Sequence, residues 1–299
     1  MRHGARILTI VLLSVSLLWP VPRTVQAGAP ADSAKRGLMN PFFAMDTGTK
    51  DKKHETAKSQ AAMLRELGYA GIGCDIGAVP EMLQAIDHVG LKMFAVYVMA
   101  SVDPEKPKYD SRLKDVTRLL KGRQTIIWLL IRGGTPSSTD SDARAVEIVR
   151  EVAAIATASG LRVALYPHVG DYVARVEDAV RVAKKVDRRN VGATFNLCHW
   201  LRLDDENTMK PLLKLAMPYL FVVTINGADS GGENWDTLIQ PLDRGSFDVY
   251  NFLKTLKEMG YTGPIGLQHY GIKGDAHENL KRSMDAWRNF SERLAAEQD

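Results

Sequence analysis

Eight apolar, β-rich runs recur along this chain, at residues 38–45, 70–76, 92–99, 124–131, 162–166, 191–195, 219–225 and 264–267. The stretches between them are amphipathic. Ala145, Ile148, Val149, Val152 and Ile155 return every three or four positions, as do Val249, Phe252, Leu253 and Leu256, giving helices with one apolar face. Gly68, Gly90, Gly160 and Gly260 stand where helices should stop before the next strand, and Thr139, Asp142, Asp171 and Asp248 suit helix starts. Gly68-Tyr69-Ala70-Gly71 and Gly260-Tyr261-Thr262-Gly263 repeat one helix-stop-to-strand turn, so the units follow one plan. Eight such units match an α/β fold of the (β/α)8 barrel type. A doubly wound sheet has about six strands and a Gly-rich phosphate turn, and neither G-x-G-x-x-G nor a phosphate loop occurs here. The Gly- and Ser-rich segment 132–138 lacks the spacing and the lysine of a nucleotide loop.

In such a barrel the C-terminal strand ends converge on one mouth, where the chemistry is done. The strand endings of the second half are Tyr166-Pro167-His168, Asn196-Leu197-Cys198-His199, Thr224-Ile225-Asn226 and Gln268-His269, with no carboxylate among them. Strand alternation puts Tyr166 and His168 on one face and Thr224 and Asn226 on one face, and turns His269 away from Gln268. The first half contributes Asp46, Asp75, Tyr97 and Arg132. The connection 227–246 is long, leaves the seventh strand at the mouth and carries Trp235 and Arg244, as a binding loop would. His168 and His199 are the candidate catalytic bases. Asp46, Arg132, Tyr166, Asn196, Asn226, Arg244 and Gln268 are the candidate substrate-binding groups. A zinc site made of His168, His199 and His269 is the sharp alternative, and the alternation at His269 argues against it.

The N-terminus carries Arg2 and Arg6, an apolar run over 7–18 and small residues around Ala27, the pattern of a secretory signal peptide spanning 1–27. The run is too short for a stable membrane span and is followed by Pro20, Pro22 and Arg23. The expected organisation is therefore a leader (1–27), a linker (28–36) and one barrel domain (37–299), exported to a periplasmic or extracellular location. The leader holds three of the 39 basic residues and none of the 35 acidic ones, so the mature chain is close to a net charge of +1. That balance gives no basis for a nucleic-acid partner. Cys74 and Cys198 fall on runs placed across the barrel from one another, and both are expected to be free, partly buried thiols.

The repeated turn, the loop Pro241-Leu242-Asp243-Arg244-Gly245-Ser246-Phe247-Asp248, the helix to Met259 and the strand Gly263-Pro264-Ile265-Gly266-Leu267 resemble the xylose isomerase-like barrel superfamily. That superfamily includes sugar and sugar-phosphate isomerases, epimerases, related lyases and the endonuclease IV group. The resemblance implies a divalent metal held by acids and a histidine after strands five to eight. The matching positions here are Tyr166, Asn196, Thr224 and Gln268, so no metal or other cofactor is assigned. His168 and His199 match the histidines of Glu-x-His and Asp-x-x-His patterns in the superfamily. The resulting expectation is a sugar isomerase, epimerase or related lyase acting on a small-molecule carbohydrate, with a metal-free site. The other reading is a non-catalytic carbohydrate-binding barrel, in which the same groups only recognise hydroxyls. Export, near-neutral charge and the missing ligand residues argue against a DNA-repair role. Oligomeric state is not legible in the sequence.

Overall fold

The computed structural model describes Met1 and residues 37–297; apart from Met1, the expected leader and linker lie outside the described residues. Eight parallel strands close in sequence order into one barrel: β1 (Phe42–Met45), β2 (Gly71–Asp75), β3 (Lys92–Ser101), β4 (Ile126–Arg132), β5 (Arg162–Leu165), β6 (Val191–Asn196), β7 (Leu220–Ile225) and β8 (Ile265–Leu267). β8 pairs with β1 to complete the ring. The helices are α1 (Ala57–Leu67), α2 (Val79–Val89), α3 (Leu113–Leu119), α4 (Asp142–Ala158), α5 (Val176–Val186), α6 (Leu197–Leu203), α7 (Met209–Ala216), α8 (Trp235–Leu238), α9 (Val249–Glu258) and α10 (Ala276–Ala296). The expected (β/α)8 barrel is what forms. Among the described residues, no helix is long and apolar enough to cross a membrane.

Each of the eight apolar runs holds one strand. β1 starts at Phe42 rather than at residue 38, and the preceding segment has other partners: Leu38 N–H donates to Ser291 Oγ, and the Asn40 side-chain amide donates to the Tyr261 and Gly263 carbonyls. Period-two alternation then sorts the side chains. Ile127, Leu129 and Ile131 of β4 join the core between sheet and helices, while Ile126, Trp128 and Leu130 fill the barrel with Phe43, Met45, Ala164, Tyr166 and Val222. Gly266 keeps room for this filling, since a Cβ there would lie 2.7 Å from the Phe43 ring. On the outer side Phe42 stacks on Trp287 of α10 at 4.2 Å and nearly parallel, fastening the last helix to the first strand.

The helix stops are as expected: the repeated turn uses Gly68 and Gly260 at φ 90° and 79°, which a glycine adopts without strain. Asp248 caps α9 by accepting from Asn251 N–H. Asp171 departs from expectation, because α5 begins at Val176 and Asp171 sits in the loop before it. Cys74 on β2 and Cys198 beyond β6 are free, and both are fully rather than partly buried.

Candidate functional site

The strand ends surround a cavity of about 440 Å³, within the size class of small-molecule sites. Asp46, Asp75, Tyr97 and Arg132 line it from β1 to β4, and Tyr166, His168, His199 and Gln268 line it from β5 to β8. Met45, Met99, Leu130 and Ile239 make much of its wall apolar. Trp235 and Tyr270 stand at the rim, 38% and 62% exposed.

β5 continues as Tyr166-Pro167-His168 into a loop whose backbone governs both histidines. His168 Nδ1 is 3.0 Å from the Val169 carbonyl oxygen, which can only accept, so Nδ1 carries the proton and Nε2 keeps a free lone pair. Val169 N–H donates to His199 Nδ1 at 3.2 Å, so His199 carries its proton on Nε2. One residue thereby sets opposite tautomers in two imidazoles whose ring centres are 4.2 Å apart. Burial, and secondarily the neighbouring His168, holds the His199 pKa well below 6.5. His199 is therefore a neutral donor, which corrects its expected role as a base: its one lone pair is already taken. His168 remains the imidazole with a basic nitrogen free.

Asp171 lies between His168 Nδ1 at 3.9 Å and Arg132 Nε at 3.6 Å, and its second oxygen is buried without a hydrogen-bond partner. Burial raises its pKa, against the lowering pull of His168 and Arg132. An acid in this place steadies His168 and supplies negative charge beside it. The sequence offered Asp171 as a helix start, and only its place between two site residues separates a cap from a support.

Behind the cavity the amides are knit together. Asn196 Oδ1 accepts from Thr224 Oγ1 at 3.0 Å and from Cys198 Sγ at 3.3 Å, and Gln268 Oε1 accepts from Thr47 Oγ1 at 2.9 Å and from Tyr270 N–H at 3.0 Å. Each amide oxygen thus has both lone pairs engaged. Tyr166 is buried beside them, and burial raises the pKa of its hydroxyl. Among the described residues no three His, Cys, Asp or Glu side chains group closely enough to hold a metal ion.

Three expected contacts do not line the cavity: Asn196, which lies behind it, Asn226 and Arg244. Asn226 is buried and its amide donates to the carbonyls of Gly227 and Leu238, so it fastens the long loop. Arg244 lines a separate surface cavity between the start of α9 and α10. Alternation reaches neither, because β7 ends at Ile225 and the loop folds back through a Gly227–Gln240 bridge. Inside that loop Asp229 accepts from Ser246 N–H and from the Gln240 amide, and α8 presents Trp235 edge-on to His199 at 5.3 Å. His269 points away from the mouth as expected: Nε2 meets Ser283 Oγ of α10 at 2.9 Å, and burial lowers its pKa to about 3. A three-histidine zinc site is thereby excluded.

The family model of the xylose isomerase-like TIM barrels matches residues 61–290. No curated protein matches the chain. Solved structures share its fold at low identity. The 3-keto-D-glucoside 4-epimerase YcjR from E. coli aligns with a TM-score of 0.68 at 15% identity, covering 84% of this chain and 99% of that one. A D-allulose 3-epimerase from Methylomonas sp. aligns with a TM-score of 0.67 at 16% identity, covering 85% and 98%. A xylose isomerase-like TIM barrel protein from Mycobacterium smegmatis in complex with magnesium aligns with a TM-score of 0.63 at 18% identity, covering 87% and 98%.

Proposed function

The chain belongs to the xylose isomerase-like TIM barrel family, and from that membership we propose that it is a sugar isomerase or epimerase acting on a carbohydrate outside the cytoplasm. The leader pattern at 1–27 supports export. Neighbours in fold that act on 3-keto-D-glucoside and D-allulose support a ketosugar substrate, in which a proton beside a carbonyl is acidic enough to be moved. The observation that carries the reading is the opposite tautomers of the two histidines at one cavity wall. His168 Nε2 is a free base for the carbon-bound proton, and His199 Nε2–H is a fixed donor for the oxygen that becomes negative as the proton leaves. Asp171 stabilises the imidazolium that forms on His168.

The donor set does not fit a divalent cation. Hard cations take charged or free oxygens, whereas the family ligand positions hold a tyrosine, an asparagine, a threonine and a glutamine, and both amide oxygens already accept two hydrogen bonds. The chemistry is assigned to the side chains alone. Turnover of D-allulose, D-tagatose and a methyl 3-keto-D-glucoside by the purified mature chain tests the reading. The wild type is expected to convert at least one of them, and His168→Ala to lose about 100-fold or more of that rate, the contribution expected of a general base. Binding without turnover by the wild type identifies a carbohydrate-binding barrel instead, and one tightly bound metal ion per chain overturns the metal-free site.

A further inference from the structure

His168 lies just beyond β5, and in a ring of eight strands taken in sequence order the strand diametrically opposite β5 is β1. Immediately after β1 stands Asp46, which faces the same cavity from the other wall. Asp75 N–H donates to one of its carboxyl oxygens at 2.9 Å, holding the group in place. Among the described residues no cation pairs with it: burial raises its pKa most, the Asp75 N–H lowers it, and the Asp75 charge raises it by less. Close by, the Tyr97 hydroxyl is buried without any hydrogen-bond partner, although its ring borders the cavity. A buried hydroxyl without a partner costs on the order of 1–3 kcal/mol unless a ligand oxygen satisfies it.

We propose that Asp46 is the second proton-transfer group of the site, delivering a proton to the face of the substrate carbon opposite His168, so that the protein inverts that carbon and is an epimerase. This deepens, and rests on, the sugar isomerase or epimerase reading. A single base returns a proton to the face from which it came or passes it to the neighbouring carbon. Inversion needs a donor on each face. The balance closes without any further reactant. His168 Nε2 takes the proton from the carbon beside the carbonyl, and the C–H electron pair enters the enediolate, whose oxygen is held by His199 Nε2–H. The carboxyl O–H of Asp46 then breaks as its proton forms a new C–H bond on the opposite face and the carbonyl re-forms. The pair ends as imidazolium and carboxylate, which is the starting state for the reverse reaction. Burial lifts the Asp46 pKa to about 6, so near that pH the group both holds and releases a proton readily. Groups that face this exchange are Asp75 and Tyr97 beside Asp46, and Asp171, Arg132 and His199 around His168.

The test runs the three sugars in D2O with wild type, Asp46→Asn and His168→Gln, with thermal melts confirming that each is folded. Wild type is expected to place one deuterium on the inverted carbon of the product. Asp46→Asn is expected to lose product formation by about 100-fold or more. Recovered substrate should nevertheless still take up deuterium at the same carbon, because His168 removes and returns the proton on its own face. His168→Gln should abolish that exchange in the same direction. Unchanged product formation by Asp46→Asn overturns the assignment of Asp46 and leaves the broader sugar isomerase or epimerase reading standing. Loss of both exchange and product in a folded Asp46→Asn overturns the division of labour between the walls. No exchange and no turnover by the wild type with any of the three sugars brings down the functional reading and this one with it.

Discussion

At neutral pH the Asp46 carboxyl is ionised in surroundings that disfavour the charge. Burial raises its pKa from 3.8 to about 6, so the folded chain binds more protons than the unfolded chain between those values. Stability is therefore lost as pH rises through that window and recovered as it falls. The full shift corresponds to about 3 kcal/mol, and partial exposure reduces this to about 2 kcal/mol. Asp46→Asn keeps an oxygen to accept from Asp75 N–H and should be more stable than wild type by about 2 kcal/mol at pH 8. The gain should vanish by about pH 4, read from denaturant melts across that range. A variant that becomes more stable as it loses epimerisation is what separates a working carboxyl from a structural one. Single residues also show where the sequence stops being readable. Tyr166, His168 and Gln268 reach the cavity as strand alternation requires, and Asp46, Asp75, Tyr97 and Arg132 do so as strand endings. The role of His199 depends on the backbone N–H of Val169, thirty positions earlier in the chain, and no spacing rule reports that bond. Asn226 and Arg244 fail as mouth residues because a loop that closes on itself sets their direction after the period of two has ended.

Elements were legible where burial leaves no choice. Strands covered on both faces read as short apolar runs, and the eight runs each held one. The connections were less legible, since hydrogen bonds between side chains remote in sequence fix them. The contact of α4 with α5 is the clearest case. Asp142 accepts from Tyr172, Arg181 and Lys185, and Asp178 accepts from Arg181, Ser137 Oγ and the backbone N–H groups of Ala174 and Arg175. Both acids are nearly inaccessible, at 4% and 3% exposure. Asp142 is held below the usual carboxylate range by these donors against the opposing effect of burial. The network also anchors the segment 167–175, on which His168, Val169 and Asp171 depend. Removing the cation between two buried acids is costly because their charge remains. Arg181→Ala should lower stability by about 3 kcal/mol, measured by urea unfolding at pH 7. A change under about 1 kcal/mol would show that water replaces the guanidinium there.

The whole molecule stands on its core and on barrel closure. β2 and β6 lie four strands apart around the ring, so Cys74 and Cys198 face different sectors and remain unpaired. Burial raises the pKa of both thiols, with Cys198 pushed up to about 12. The purified protein should melt at the same temperature with and without dithiothreitol, and both thiols should resist Ellman's reagent until the chain unfolds. Reaction of either thiol in the native state would show local opening at the barrel wall. The doubly engaged amide oxygens of Asn196 and Gln268 limit which substitutions the site tolerates. Exchanging either amide for its acid would bury a negative charge among partners arranged for a neutral group. Each single step towards a charged ligand set would be penalised before any benefit arrived. The neutral network works as a ratchet: single changes towards charged ligands are resisted, and a metal at these positions requires several replacements at once.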